Sequence, residues 1–341
     1  LTGYSSSTIS VLAVDNQGNI TVPTNSDLSL GSGLLLNAVS IDQAGQNLFV
    51  ADETSGIIPV SISVNGASVT LTQGVTLASP TTGCAYVVTN PAQGSSNIFT
   101  ADNASVSALD FTSGGVLSLD NSISADNFGF LAGGGNPGGI AIDSQGQNLY
   151  IASNMDYGCW QFSLSGATLT DTGNMAYSDS TNNGPMCCAV DQGSNNLVVG
   201  NDDGSIEVYP LSGGLSSYSN TGAGIQGSTV TGACVNALAF DPTGSYIVTA
   251  NGQSNDASLF TYDGTQGAAN FVTTATGLTN PSSVIFDPDQ STPVVFIANT
   301  GAQQSSIAAF NYNPNGFTPL NNGTPFPTSA NVAGPMGMVI Q

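Results

Sequence analysis

Apolar and polar residues follow one another along this chain in short alternating runs, and no stretch carries the apolar stripe of a useful helix. One unit dominates: an apolar run, an Asp or Asn, a short polar turn and a second apolar run. It occurs as "VSIDQAGQNLFVAD" (39–52), "VVTNPAQGSSNIFTAD" (87–102), "IAIDSQGQNLYIASN" (140–154), "CAVDQGSNNLVVGND" (188–202), "LAFDPTGSYIVTAN" (238–251) and "VIFDPDQSTPVVFIAN" (284–299). The turns open at Asp42, Asn90, Asp143, Asp191, Asp241 and Asp287, roughly every 50 residues, a period that signals propellers or solenoids. Apolar runs of this length joined by Gly-containing turns read as strand hairpins. A second hairpin follows each first one, for example "SVSALDFTSGGVLSL" (105–119), "SIEVYPLSGGLSS" (205–217) and "SSIAAFNYNPNGFTPL" (305–320).

Four short strands per repeat predict the blade of a β-propeller. At the start of the chain, "STISVLAVDNQGNITV" (7–22) reads as a second hairpin with no first strand before it. At the other end, "GPMGMVIQ" (334–341) matches the opening of a repeat such as "NPGGIAID" (136–143). The expectation is an all-β, seven-bladed propeller spanning 1–341 as a single domain, its closing blade composed of 1–35 and 332–341. The repeated turn Asp is expected to cap turn amides two residues on, with a following Gly, where present, at positive φ.

The motif D-x-x-G-x-x-L-[YF]-[VI]-A-[DS], followed by an S-x-I strand, resembles that of the lactonase-like seven-bladed propellers with YVTN repeats. The stretch "TPLNNGTPFPTSANVAGPMGMVI" (318–340) is similar to inter-blade text of secreted bacterial members. The resemblance covers essentially the whole chain and implies the fold. It also departs from the family at one place: relatives often put Lys after the turn Gly. Here Gln46, Ser95, Gln147, Ser194 and Ser245 stand at that place.

Charge changes the functional picture. The 341 residues include no Lys, Arg or His against 22 acidic residues, a formal charge of −22. No side-chain salt bridge exists, and nucleic acid is excluded as a partner because its phosphates are bound mainly by Lys and Arg. At neutral pH the surface is a polyanion; well below the carboxylate range the chain is nearly neutral. A chain without Lys or Arg also offers no site to trypsin-like proteases. Together with a start that lacks Met and no apolar run of membrane-spanning length, these features predict a secreted or cell-surface protein whose leader has been removed.

The resemblance implies lactone-opening chemistry, but members that act on phosphorylated sugar lactones are expected to use basic residues for the phosphate. None exists here, so the expectation is a non-catalytic extracellular structural or interaction protein, such as a filament or sheath subunit that self-associates or binds other surface proteins. An incomplete closing blade would expose strand edges for such pairing. The alternatives are a carbohydrate- or Ca²⁺-binding module and a Ca²⁺-dependent lactonase-type hydrolase. Other propeller lactonases hold Ca²⁺ with Asp, Asn and Glu. The best local donor group is Asn201, Asp202, Asp203 and Glu207, and Asp202–Asp203–Gly204 within it also reads as an ordinary tight turn.

Five Cys (Cys84, Cys159, Cys187, Cys188, Cys234) without CxxC spacing or His argue against zinc. Successive strand side chains face opposite ways, so Cys187 or Cys188 is placed for a bridge to Cys234, with buried thiols the alternative. Trp160 is expected in inter-blade packing. Asn19, Asn103 and Asn322 begin glycosylation sequons.

Overall fold

The computed structural model describes residues 1–23, 26–66, 68–78, 83–124, 137–154, 158–177, 184–212, 214–215, 225–226, 233–289, 293–301, 305–329, 331–334 and 336–340. Among them the chain is all β apart from one short 3-10 turn at Asn321–Gly323. Each of the six repeats forms its own antiparallel sheet in chain order, beginning with hairpins such as Leu36–Ile41 with Asn47–Asp52 and Pro137–Ile142 with Asn148–Ser153. Third and fourth strands follow outward, as Gly56–Asn65 and Ser68–Gln73 do in the first repeat. The architecture is a β-propeller.

Burial explains why the repeat forms sheets. The second strands are the most enclosed elements; Asn47–Asp52, Asn196–Asn201 and Val294–Asn299 are buried at every position. They lie inside both their own sheet and the stack of neighbouring sheets, so they read as continuous apolar runs. The core is divided into clusters that straddle neighbouring sheets. One joins Phe99 and Val106 to Leu149 and Phe162, with Trp160 packed against it, as inter-blade packing requires.

The turn Asp side chains act structurally, though not quite with the predicted geometry. Asp42, Asp143, Asp191 and Asp241 cap amides four residues on, as in the 2.7 Å bonds from Gln46 N to Asp42 Oδ1 and from Asn195 N to Asp191 Oδ1. Asn90 and Asp287 cap the amide two residues on. Gly45, Gly94, Gly146 and Gly244 take positive φ, but in the fourth turn Ser194 does so (φ 54°) in place of Gly193. A tyrosine from the next sheet also donates to two of these carboxylates: Tyr262 Oη to Asp191 Oδ2 at 3.0 Å, and Tyr312 Oη to Asp241 Oδ2 at 3.3 Å. Asp191→Ala would leave the Asn195 amide, the Asn196 side chain and the Tyr262 hydroxyl without this acceptor. Chemical denaturation of that variant is expected to show a loss of about 3 kcal/mol.

Of the two remaining sheets, one has three strands, Thr2–Gly3, Thr8–Ser10 and Asp27–Ser29. Thr2 N donates to Gly337 O at 3.0 Å, Met336 N to Thr2 O at 3.1 Å and Tyr4 N to Gly334 O at 2.9 Å, so the two ends of the chain meet here. Asp27 fastens the same junction, accepting from Ser10, Ser329 and Asn331. The predicted hairpin over 7–22 is longer and bent. Thr8–Ser10 pairs with Asp27–Ser29, while Ala13–Val14 and Ile20–Thr21 form a separate two-stranded ribbon. The ribbon is drawn aside because Leu12, Val14 and Ile20 pack on the apolar surface of the last repeat, beside Phe296 and Leu320. The predicted hairpin over 205–217 also differs. Ser205–Pro210 pairs with Ile225–Gln226, and residues 213, 216 and 217 lie outside the described set.

The proposed bridge from Cys187 or Cys188 to Cys234 is not formed; all five cysteines are buried free thiols. Strand alternation sends the neighbours apart. Cys187 Sγ faces Val235 O at 3.4 Å, Cys188 Sγ faces Tyr150 O at 3.8 Å, and Cys234 Sγ lies 3.3 Å from Asn236 Oδ1.

Candidate active site

Five of the six first strands begin irregularly, at one face of the propeller. Pairing slips between Leu36 and Ala38, Pro137 and Gly139, Pro185 and Cys187, Val235 and Ala237, and Pro281 and Ser283. The extra residues are Asn37, Gly138, Met186, Asn236 and Ser282. Bulges of this kind re-aim side chains beside functional sites. Asn37 Nδ2 donates to Ala85 O at 3.0 Å and Asn236 Nδ2 to Pro281 O at 2.9 Å, so two of them tie neighbouring sheets together.

Glu53 stands on this face, directly after the first repeat's second strand. The motif's closing acid, Asp52, is fully buried and accepts Leu35 N at 2.6 Å and Thr54 Oγ1 at 2.7 Å. Glu53 N donates to Leu35 O at 3.1 Å, and Gly83 packs so closely on the Glu53 carbonyl that no Cβ fits there. The backbone is therefore fixed while the carboxyl reaches solvent. Tyr4 Oη donates to Glu53 Oε2 at 3.4 Å. Partial burial pushes the Glu53 carboxyl above its ordinary range; the Tyr4 hydrogen bond opposes this and the charge of Asp52 adds to it. Burial also raises Tyr86, with the charges of Cys187 and Glu53 contributing and a hydrogen bond from Asn37 opposing. Tyr86 thus lies within electrostatic reach of both Glu53 and the first strand at Cys187, beside the glycine pair Gly138–Gly139.

Tyr4, Asn37, Glu53 and Tyr86 form a carboxyl–phenol–amide group. A carboxylate with raised affinity for protons is a general base, and neutral phenol and amide groups donate hydrogen bonds to a developing oxyanion. The thiols do not serve as nucleophiles. Burial pushes the Cys234 thiol up to about 11 and Cys187 well above the usual thiol range, so the thiolate fraction is minute.

The sequence-predicted donors do not gather. Asp203 sits in a tight turn, its Oδ1 accepting Ser205 N at 2.9 Å, with Gly204 at φ 88°. Glu207 is buried on the next strand, where Oε2 accepts the Tyr209 hydroxyl at 2.6 Å. The Asp202 carboxyl is pushed upward by burial, and the charge of neighbouring Asp203 adds to this. Among the described residues no three Asp, Glu, Cys or His side chains are placed to hold a metal, so this donor set does not fit Ca²⁺. Of the sequons, Asn103 and Asn322 are exposed, and Asn19 is half-buried with its side chain on Asp15 Oδ2 at 2.9 Å.

Comparison with known proteins places the fold. No family model matches the sequence and no curated protein matches it. Among solved structures, the periplasmic gluconolactonase of Pseudomonas aeruginosa is similar with a TM-score of 0.72 and 16% identity, over 98% of this chain and 96% of that one. A candidate 6-phosphogluconolactonase of Bacteroides fragilis gives 0.72 and 14%, over 94% and 89%. A Lactobacillus plantarum protein gives 0.73 and 12%, over 93% and 92%. The chain has the lactonase-like β-propeller fold. These neighbours correct the expectation of a non-enzyme: two of the three, similar along nearly their whole length, are named as lactonases.

Proposed function

We propose that this protein is an exported lactonase-type hydrolase whose active site is the Tyr4–Asn37–Glu53–Tyr86 group. The carrying observation is the exposed Glu53 carboxyl, hydrogen-bonded to Tyr4 and raised in proton affinity by partial burial, on a lactonase-like fold. Glu53 takes a proton from water as it attacks the lactone carbonyl, and the Tyr86 hydroxyl, positioned by Asn37, donates to the tetrahedral oxyanion. As the intermediate collapses, the ring C–O bond breaks and Glu53 returns the proton to the leaving alkoxide. The substrate is a neutral lactone, because no basic side chain is present to hold a phosphate. The periplasmic neighbour supports export. In the same reading the three-stranded sheet and residues 336–340 form a seventh blade that closes one ring.

The test is saturable hydrolysis of D-glucono-1,5-lactone above the buffer rate, with 6-phosphogluconolactone turned over far more slowly. Equal rates on both lactones would refute the substrate class. The Tyr4→Phe variant supplies a second check. Removing the phenol removes the interaction that lowers the Glu53 proton affinity, so the acid limb of the rate profile is expected to move to higher pH. An unmoved limb would detach Glu53 from catalysis.

A further inference from the structure

Strand register gives the repeats equivalent places, and one pair of places spans each junction between consecutive repeat sheets. In the third repeat Cys159, on the third strand, lies opposite Ala152; in the fourth, Cys188, on the first strand, lies opposite Val199. At the other junctions the same two places hold Ile57 and Val87, Val106 and Ile140, Ile206 and Leu238, and Ala257 and Val284. Each of these pairs shares one apolar cluster that joins the two sheets. Among these junctions, the one between the third and fourth repeats alone has cysteine, and has it on both sides. Cys159 and Cys188 are buried in one cluster with Tyr150, and their thiols are in hydrogen-bond contact. Cys188 Sγ also faces Tyr150 O at 3.8 Å and Cys159 contacts the Ile151 backbone, so both sulfurs lie along Asn148–Ser153. Cys187 belongs to the other side, in the cluster with Val235 and Ile206. One cysteine in such a place is a small apolar filler. Two facing thiols where the other junctions have aliphatic pairs supply what a covalent cross-link requires.

We infer that Cys159 and Cys188 are a redox pair whose disulfide fastens the third repeat sheet to the fourth. In this step the two thiols give up two protons and two electrons to a small-molecule disulfide, RSSR. One S–S bond forms, one breaks, and two RSH leave. Burial, and then Cys188, hold the Cys159 thiol well above its ordinary range, so the packed sheets leave almost no thiolate there. Oxidation therefore belongs to the stage of folding at which the two sheets have not yet closed on each other. The finished bond closes a loop over residues 159–188 and restrains the unfolded chain. Nothing in this pairing depends on lactonase activity.

The experiment is unfolding and refolding of the full chain in a glutathione redox buffer, followed by thiol counting in denaturant. Three reactive thiols are expected once two of the five are bridged. Trypsin has no site in this chain, so pepsin at acid pH is the protease; it is expected to release one cross-linked peptide pair carrying Cys159 and Cys188. The bridge should persist in Cys187→Ser and vanish in Cys188→Ser. The oxidised parent should melt about 5 °C above the same protein reduced. Five free thiols after oxidising refolding would overturn the inference. So would a bridge through Cys84, Cys187 or Cys234, or equal melting temperatures of the two forms.

Discussion

Glu53→Gln is expected to lower the rate of lactone opening at least about 100-fold, the usual worth of a positioned general base. Glutamine keeps the length and the acceptor for Tyr4 Oη but cannot take a proton. Its effect should fall on kcat, with KM little changed. The fold should be indifferent, since the Glu53 side chain is exposed and the backbone is held by Leu35 O and the close approach of Gly83. A melting temperature equal to that of the parent, with activity gone, assigns the loss to chemistry. Retained turnover would remove Glu53 from the site.

The second large effect concerns charge. With no cationic side chain, every side-chain charge pair at neutral pH is repulsive. Asp110 shows the consequence: burial first, and then Asp120, pushes its carboxyl upward. Salt screens such repulsion. Raising NaCl from about 10 mM to about 500 mM at neutral pH is therefore expected to raise the melting temperature by about 5 °C, the shift of roughly 2 kcal/mol in a large domain. Acid should do similar work without salt. Glu53, Asp110 and Asp202 have raised proton affinity in the fold, so their stabilising contribution is full below their unfolded values and is lost as pH rises through the folded ones. Asp27 runs the other way. Burial works upward on it, but donors from Ser10, Ser329 and Asn331 prevail, so its contribution is lost as pH falls through its depressed value. Thermal melts at acid pH should show little salt dependence, whereas an ordinary protein becomes a self-repelling polycation there. A melting temperature insensitive to salt at neutral pH would contradict this picture.

The repeat was readable because burial on both faces forces each second strand into an unbroken apolar run, and because Asp and Gly turns recur in register. The bend of the N-terminal hairpin was not readable. It depends on Leu12 and Val14 finding Phe296, nearly 300 residues away in sequence. The cysteine bridge failed for a related reason: alternation says that Cys187 and Cys188 diverge, but not which neighbour each meets. The site was hidden more deeply. Glu53 is one of only two glutamates in the chain, and it follows the motif's closing Asp where other repeats have Asn103, Asn154, Asp202, Gly252 or Thr300. That departure from the repeat was the available signal. The bulges that place Asn37 beside it, and the packing that brings Tyr4 and Tyr86 near, have no signature in apolar periodicity. Conversely, Asp202, Asp203 and Glu207 are close in sequence, yet Asp203 caps a tight turn and Glu207 is buried on the next strand against Tyr209, so the three do not gather.

Whether the first-strand face is an active site is tested most directly by the pH–rate profile of D-glucono-1,5-lactone hydrolysis by the purified protein. Saturable turnover with one acid limb, set above the ordinary glutamate range by the burial of Glu53, is the predicted result. A rate equal to buffer alone at every pH would contradict it.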